Sequence, residues 1–180
     1  TVMPQMMGNK MSMNPAIFAK EENIAIAYGM GLTAEKVANQ WKISREAQDA
    51  FALASNQKAC AAIAAGHFKA ETTPYPIREN LPDLKSGQVR VRERIVEDDE
   101  GPRADASLEK LGKLRPVFHA RGSVTAGNSS QMSDGAAAVM LVSEKVLKEH
   151  SLTPLARFAG YAVGGVAPEI MGIGPIAAIP

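Results

Sequence analysis

The segment that most constrains this chain runs from Gly122 to Glu144 and reads GSVTAGNSSQMSDGAAAVMLVSE. Its first part, Gly122 to Ser130, has only small or short side chains, several of which carry a hydroxyl or an amide. A run of apolar residues from Ala136 to Val142 follows. A loop with so little bulk lets a ligand lie against its backbone, and the apolar run is typical of a buried element. The alternative is a tight connection that packs against a neighbouring element.

Composition excludes several classes of function. Apolar residues make up 46% of the 180-residue chain and charged residues 22%, as in ordinary soluble globular proteins. A net charge of +1 gives no reason to expect a nucleic-acid partner. No apolar run is long enough for a membrane span, so we expect no membrane association. The one cysteine, Cys60, excludes an internal disulfide and favours a reducing, cytoplasmic location.

Helical patterns dominate the first third of the chain. Thr33 is predicted to cap a helix over Ala34–Trp41. Ser44 is predicted to cap a longer helix over Arg45–Ala65, which Gly66 ends. We expect the second helix to pack closely through one apolar stripe, made of Ala47, Phe51, Ala54, Ala61 and Ala65.

The middle of the chain predicts a pair of strands and a short helix. Prolines within residues 71–79 allow only an edge strand there, and residues 88–96 alternate as a strand with one solvated face. The acidic run Glu97–Glu100 is interpreted as solvated charge and not as a metal site. Asp105 is predicted to cap a short helix that ends at Leu111.

Beyond Ser130, strands and helices are predicted to alternate. Periodicity leaves Ala136–Val142 open between strand and helix, and its short length and branched residues favour a strand. Ser143–His150 is predicted as a helix and Leu155–Val163 as a second strand. A further helix is predicted to start at Pro175, and its shortness leads us to expect an internal piece of a longer chain.

The sequence shows no motif by which this chain alone could catalyse a reaction. The three histidines have no metal-ligand spacing, and we find no serine-hydrolase elbow, phosphate-binding loop or dinucleotide fingerprint. Cys60 lies among alanines in the middle of a predicted helix, away from any base or helix N-terminus. We therefore interpret Cys60 as a packing residue and expect neither a metal nor a catalytic residue in this chain.

The Gly122–Glu144 segment resembles the GTVTAGNSSxxSDGAAAxxxxSE segment of the thiolases, which cleave or form 3-ketoacyl-CoA. Further matching segments occur in the order and spacing of that family: Met30–Glu35, Asp99–Arg103, Leu114–Phe118 and Met171–Ile179. The degradative 3-ketoacyl-CoA thiolases, or acetyl-CoA acyltransferases, are the most similar branch. The resemblance covers nearly the whole chain, but only the middle of the family's sequence.

The resemblance implies an α/β fold, namely a thiolase-fold fragment with a helix-rich loop domain inserted in a duplicated α/β/α sandwich. Residues 1–13 would end the N-terminal half, and 14–120 would form the loop domain for CoA binding and oligomerisation. Residues 121–150 would supply the last strand and helix of the N-terminal half. Residues 151–180 would start the C-terminal half.

The resemblance also implies an acyltransferase that moves an acyl group to CoA and releases acetyl-CoA through a cysteine acyl-enzyme. The family's nucleophilic cysteine lies upstream of the segment that Thr1–Lys10 resembles. Its NEAF or HEAF, GHPxG and CxGGG motifs lie downstream of the segment ending at Pro180. The chain by itself is therefore expected to be inactive, and no cofactor is expected because CoA is a substrate.

Seven residues match positions that contact CoA or line its tunnel in the family. Ser130 would contact the pantetheine, Ala126 would let that arm lie against the backbone, and Arg103 would lie near the nucleotide. The apolar contacts would come from Leu114, Phe118, Met30 and Met171. The alternatives are that Arg103 pairs with a neighbouring carboxylate, Ser130 caps a turn and the two methionines are core residues.

CoA, acyl-CoA and further copies of the same chain are the partners that the resemblance implies, in a homodimer or homotetramer. Gly29 stands where short-chain biosynthetic members often have histidine, so the resemblance leaves the preferred acyl chain length open. One alternative is a thiolase-like protein that binds or carries CoA esters without turnover. The other is a scaffolding or oligomerisation fragment that binds no ligand.

Overall fold

The computed structural model describes residues 14–179, which divide into two compact units. The first unit takes the described residues up to Ile43, Pro116–Val124 and those from Ser130 onward. The second unit takes Ser44–Arg115 and Thr125–Ser129. Residues 1–13, predicted to end the N-terminal half, lie outside the described residues. The domain boundaries that the resemblance implies stay a prediction.

The regular elements are short apart from one long helix. The α-helices are α1 (Met30–Gln40), α2 (Arg45–Ala64), α3 (Leu108–Gly112), α4 (Glu144–Glu149) and α5 (Gly174–Ala178). The strands are β1 (Tyr75–Pro82) and β2 (Val89–Val96), and the 3-10 helices are Pro15–Ile17, Glu21–Ala27 and Pro168–Ile173. None of the helices that the structure describes is long and apolar enough to cross a membrane.

Helix α1 organises the first unit. The 3-10 helix Pro168–Ile173 packs against it and leads directly into α5. The predicted cap at Thr33 is wrong, because α1 begins at Met30 and Gly29 occupies the cap position. Thr33 is instead buried inside the helix, where its hydroxyl donates to the Met30 carbonyl over 2.7 Å. A buried hydroxyl is satisfied in this way without a tertiary partner.

Helix α2 organises the second unit and begins and ends nearly as predicted. The Ser44 hydroxyl accepts from the Ala47 amide at 3.2 Å, which satisfies one of the free amides at the helix start. Gly66 follows the helix with φ +73°, the left-handed conformation that suits a helix end. The predicted apolar stripe is not the buried face, however. Phe51 is 79% exposed, whereas Asp49 is only 4% exposed.

Strands β1 and β2 pair antiparallel as a hairpin in the second unit, with Tyr75 opposite Val96 and Pro82 opposite Val89. Both predicted strands are confirmed, and β1 extends beyond residue 79. Asp83 closes the turn by accepting from the Lys85 amide and the Ser86 hydroxyl, and these bonds lower the pKa of its carboxyl. The alternating apolar residues of β2 are exposed in the described chain.

Helix α3 is capped by a different residue from the one predicted. The Ser107 hydroxyl accepts from the Lys110 amide at 3.2 Å, so Ser107 is the cap. Asp105 instead pairs with the Lys110 ammonium at 2.7 Å. The hydrogen bond and the charge of Lys110 together lower the pKa of Asp105. An aspartate just before a helix can thus pair with a lysine in the first turn instead of capping the helix.

Helix α4 confirms the helix predicted over Ser143–His150, with these two residues as its caps. The Ser143 hydroxyl accepts from the Val146 amide at 3.3 Å. The strands predicted over Ala136–Val142 and Leu155–Val163 are wrong, because both segments lack regular structure and are almost fully solvent-exposed. A strand needs a neighbour for its backbone amides and carbonyls. In the part of the chain that the structure describes, the only strands that pair are β1 and β2.

The Ser44 cap gives a prediction about stability. Replacing Ser44 with alanine leaves an amide of the first turn of α2 unsatisfied, and we expect the free energy of unfolding to fall by about 1 kcal/mol. Urea unfolding of the purified protein measures this change. Ser55→Ala is the matched control, because Ser55 is an exposed position within α2 where alanine favours the helix. Equal stability of the two variants would contradict the assigned cap.

Candidate functional site

A polar face of α2 holds three segments of the second unit. Arg45, Asp49 and Asn56 recur at intervals that bring all three to one side of the helix, since successive residues turn by about 100°. The Arg45 guanidinium donates from Nε to Asp49 Oδ2 at 2.7 Å. Its Nη2 donates to the carbonyl of Leu111 in α3 at 2.6 Å and to that of Leu114, just beyond α3, at 3.0 Å. Arg45 thus ties Leu114, one of the predicted contact residues, to α2.

The second carboxylate oxygen of Asp49 holds the small-residue loop. Asn128 Nδ2 donates to Asp49 Oδ1 at 2.9 Å, and Asn128 Oδ1 accepts from the Thr125 amide at 2.7 Å. Thr125 is completely buried. A buried carboxylate is tolerated only where charge and hydrogen bonds compensate for lost solvation, and Arg45 and Asn128 supply both. The segment Thr125–Ser129 is thereby fixed to α2.

The backbone of this segment lies directly against leucine side chains. A Cβ placed on Gly127 would be 2.5 Å from Leu111 Cδ2 and 2.5 Å from Leu114 Cδ1, so a larger residue there would displace the two leucine side chains. The Gly127 amide donates to Thr125 Oγ1 at 3.2 Å, which tightens the turn. Ala126 precedes this contact and is exposed. The structure therefore brings Ala126 and Leu114 together on neighbouring segments of one unit.

Arg103 is attached to the same helix face. Its backbone amide donates to Asn56 Oδ1 at 2.9 Å, while its side chain belongs to an exposed residue. Glu100, the nearest carboxylate in the alternative interpretation, bonds instead to Arg94 at 2.9 Å. Lys110 has the largest effect in lowering the pKa of Asp105, and the charge of Arg103 adds to that effect.

In the first unit, a carboxylate from α1 holds the start of the small-residue loop. Glu35 Oε1 accepts from the Val124 amide at 2.8 Å, and both of its oxygens accept from the Ser123 amide at 3.0 Å. The carboxylate also lies against the Cα of Gly122, where a Cβ would collide with it. Two successive amides pointing at one carboxylate are a strong, charge-assisted arrangement.

Three further predicted residues belong to the first unit. Met30 begins α1, Met171 lies on the 3-10 helix that packs against α1, and the Phe118 ring covers Gly31 so closely that no Cβ fits there. Met30 is 72% exposed, Met171 44% and Phe118 43%. These values disfavour the alternative that the methionines are core residues of the described unit.

Ser130 and Cys60 complete the predicted set. Ser130 is exposed and follows Ser129, whose hydroxyl donates to the Thr125 carbonyl. Cys60 is partly exposed within α2. Among residues 14–179, no three histidine, cysteine, aspartate or glutamate side chains are grouped as a metal site would require.

Sequence reasoning missed the residues that hold the loop. Glu35 is 88 residues from Ser123 and Asp49 is 79 from Asn128, so no local pattern connects them. One signal was available: Arg45 and Asp49 are four apart, the spacing of a pair on one helix face. The sequence pattern favoured the alanine stripe, and not this polar face, as the packing surface of α2.

Comparison with known proteins identifies the family. A family model described as thiolase, N-terminal domain, matches residues 5–145. The 3-ketoacyl-CoA thiolase of Bacillus subtilis is 44% identical over 97% of this chain and 44% of its own length. Human mitochondrial 3-ketoacyl-CoA thiolase in complex with CoA has a TM-score of 0.72 and 39% identity, over 98% of this chain and 41% of that one.

A second solved structure agrees. The dimeric peroxisomal thiolase of Saccharomyces cerevisiae has a TM-score of 0.77 and 40% identity, covering 94% of this chain and 40% of that one. The chain thus spans less than half the length of the relatives it matches. Matches at this identity confirm the resemblance and the thiolase fold. The chain belongs to the thiolase family.

Proposed function

We propose that this chain is the CoA-positioning part of a 3-ketoacyl-CoA thiolase, an acyltransferase that transfers an acyl group to CoA. The observation that carries the proposal is the polar face of α2, which holds Arg103, Leu114 and Ala126 within one unit. Family membership supports the reaction class, and the relative solved in complex with CoA supports the ligand. Because the chain spans under half of its relatives, the activity is proposed for the whole protein.

The three held segments have chemistry that suits the parts of CoA. The Arg103 guanidinium is exposed and suits a phosphate of the nucleotide. Leu114 offers apolar surface, and the Ala126–Gly127 backbone lets a narrow chain with amide groups approach closely. In the first unit, the exposed side chains of Met30, Phe118 and Met171 offer further apolar surface for an acyl or pantetheine chain.

In the proposed reaction, a cysteine thiolate elsewhere in the whole protein attacks the keto carbonyl of the substrate. The bond between the α-carbon and that carbonyl breaks, acetyl-CoA leaves after its carbanion takes a proton, and an acyl-enzyme remains. The CoA thiol then attacks the thioester and releases the shortened acyl-CoA. This chain would position CoA and hold no reacting group, so by itself it is expected to perform no thiolysis.

Assembly and location follow from the same proposal. We expect a homodimer or homotetramer, and the similarity to the dimeric yeast thiolase supports self-association. The single cysteine of this chain is consistent with a reducing compartment such as the cytoplasm. A CoA-ester carrier without turnover is the alternative, and steady-state kinetics on the whole protein distinguishes the two.

Arg103 gives the main test. In the whole protein, Arg103→Ala removes a charge-assisted contact to phosphate, and we expect the KM for CoA in thiolysis to rise about tenfold to a hundredfold, with kcat little changed. Arg90→Ala is the control, since Arg90 is an exposed arginine on the β2 strand of the same unit. An unchanged KM would place Arg103 away from CoA, and CoA binding without any turnover would favour the carrier.

Ser130 tests the proposed contact with the pantetheine of CoA. Ser130→Ala removes one neutral hydrogen bond, and we expect CoA affinity to fall by about 0.5–1.5 kcal/mol. Ser130→Leu should weaken binding much further, because the larger side chain would occupy the space that the pantetheine needs beside position 130. Calorimetric titration with CoA measures both, and Ser55→Leu on the exposed side of α2 is the control for bulk. Normal affinity in Ser130→Leu would show that CoA does not pass this loop.

Cys60 tests whether this chain supplies a nucleophile. It lies inside α2, away from the helix N-terminus that could activate a thiol as a nucleophile. Cys60→Ala in the whole protein should leave acyl-enzyme formation intact and cost at most about 1 kcal/mol of stability. Mass spectrometry after incubation with acetoacetyl-CoA locates the acyl group. An acyl adduct on Cys60 would contradict the proposal that this chain supplies no nucleophile.

A further inference from the structure

We propose that Arg45, Asp49 and Asn128 form a positioning relay that sets the affinity for CoA without touching it. The inference rests on the proposed function and adds to it three residues that hold the site residues in place. The relay acts at two points of the second unit, the Leu114 carbonyl and the Thr125 amide.

The direction of every hydrogen bond in the relay is determined. The Thr125 amide can only donate, so the Asn128 atom facing it at 2.7 Å is the oxygen. Asn128 Nδ2 then faces Asp49 at 2.9 Å and needs an acceptor there. Arg45 Nε, also a donor, faces the other oxygen of Asp49 at 2.7 Å. Position 49 must therefore accept on both sides, which a carboxylate does and an amide cannot.

Because Asp49 and Thr125 are buried, the need for two hydrogen-bond acceptors at position 49 is strict. Asp49 is 4% exposed and Thr125 is 0% exposed, so water cannot easily replace a lost partner. Arg45 is also held in place, because its Nη2 donates to the Leu111 and Leu114 carbonyls. A change at Asp49 therefore disturbs the loop on one side and the Leu114 segment on the other.

The consequence for binding is preorganisation. Ala126 and Gly127 lie within the loop that Asn128 closes, and Gly127 lies against the Leu114 side chain. If the relay is broken, the two segments must be ordered when CoA binds, and that cost lowers affinity. Chemistry at saturating CoA would change little, because no relay residue is proposed to contact the reacting atoms.

An exchange of the two side chains tests the relay in the whole protein. In Asp49→Asn, an amide nitrogen faces the Asn128 amide nitrogen, so two donors oppose each other. In Asn128→Asp, two carboxylates face each other. In the double variant, the amide at position 49 accepts from Arg45 and donates to the carboxylate at position 128, whose other oxygen accepts from the Thr125 amide. Each bond of the relay is thus restored, and only the bond between positions 49 and 128 has its donor and acceptor exchanged.

We expect each single variant to raise the Kd and the KM for CoA by about tenfold or more, with kcat within about twofold of the unmodified protein. The double variant should return to within about threefold. Calorimetric titration with CoA gives the Kd, thiolysis gives KM and kcat, and circular dichroism gives the folded fraction at the assay temperature. Asp98→Asn, which neutralises an exposed aspartate of the same unit, should change none of these values.

The outcomes separate this inference from the proposed function. If the unmodified protein binds CoA but the single variants bind it equally well, the relay is wrong and the proposed function stands. The relay is also wrong if the double variant folds and does not recover affinity. Should a single variant fail to fold, recovery of both folding and affinity in the double variant still supports the relay. If the unmodified protein binds no CoA, both proposals are wrong.

Discussion

The second unit depends on one buried carboxylate. Asp49 is only 4% exposed, and an ionised group in such a position is costly unless it is paired and hydrogen-bonded. Arg45 supplies the charge and Asn128 a further donor, at 2.7 and 2.9 Å. Arg45 also bonds the Leu111 and Leu114 carbonyls, and Asn128 also bonds the Thr125 amide of its own loop. Satisfying one carboxylate therefore joins α2 to the end of α3 and to the small-residue loop.

The first unit repeats the same physical solution with Glu35. Its carboxylate accepts from the Ser123 and Val124 amides, which lie earlier in the same loop sequence. Consecutive parts of one glycine-rich segment are thus each held by a carboxylate from a helix. The packing is close at Gly122 against Glu35 and at Gly127 against the leucines, where an added Cβ would force these side chains to move. The composition that suggested room for a ligand also serves close packing, which is the alternative interpretation of the segment, and contact with a ligand stays a prediction.

Apolar surface is left exposed in both units. Phe51 on α2 is 79% exposed, Leu141 83% and Leu155 103%, although their sequence patterns are those of buried elements. Burial of apolar side chains is the main driving force of folding, so such patterns usually mark contacts. The chain spans under half the length of the relatives it matches.

The sequence by itself determined what depends on near neighbours. The cap at Ser44, the helix near residues 143–150, the end of α2 at Gly66 and the hairpin strands follow from short-range rules, and ordered motifs identified the family. Thr33 and Asp105 failed as caps because a neighbouring carbonyl and Lys110 compete for their side chains. Only tertiary structure decided that Asp49, and not the alanine stripe, is buried, and that Glu35 holds the loop. Those contacts join residues 79 and 88 positions apart, where local periodicity carries no information.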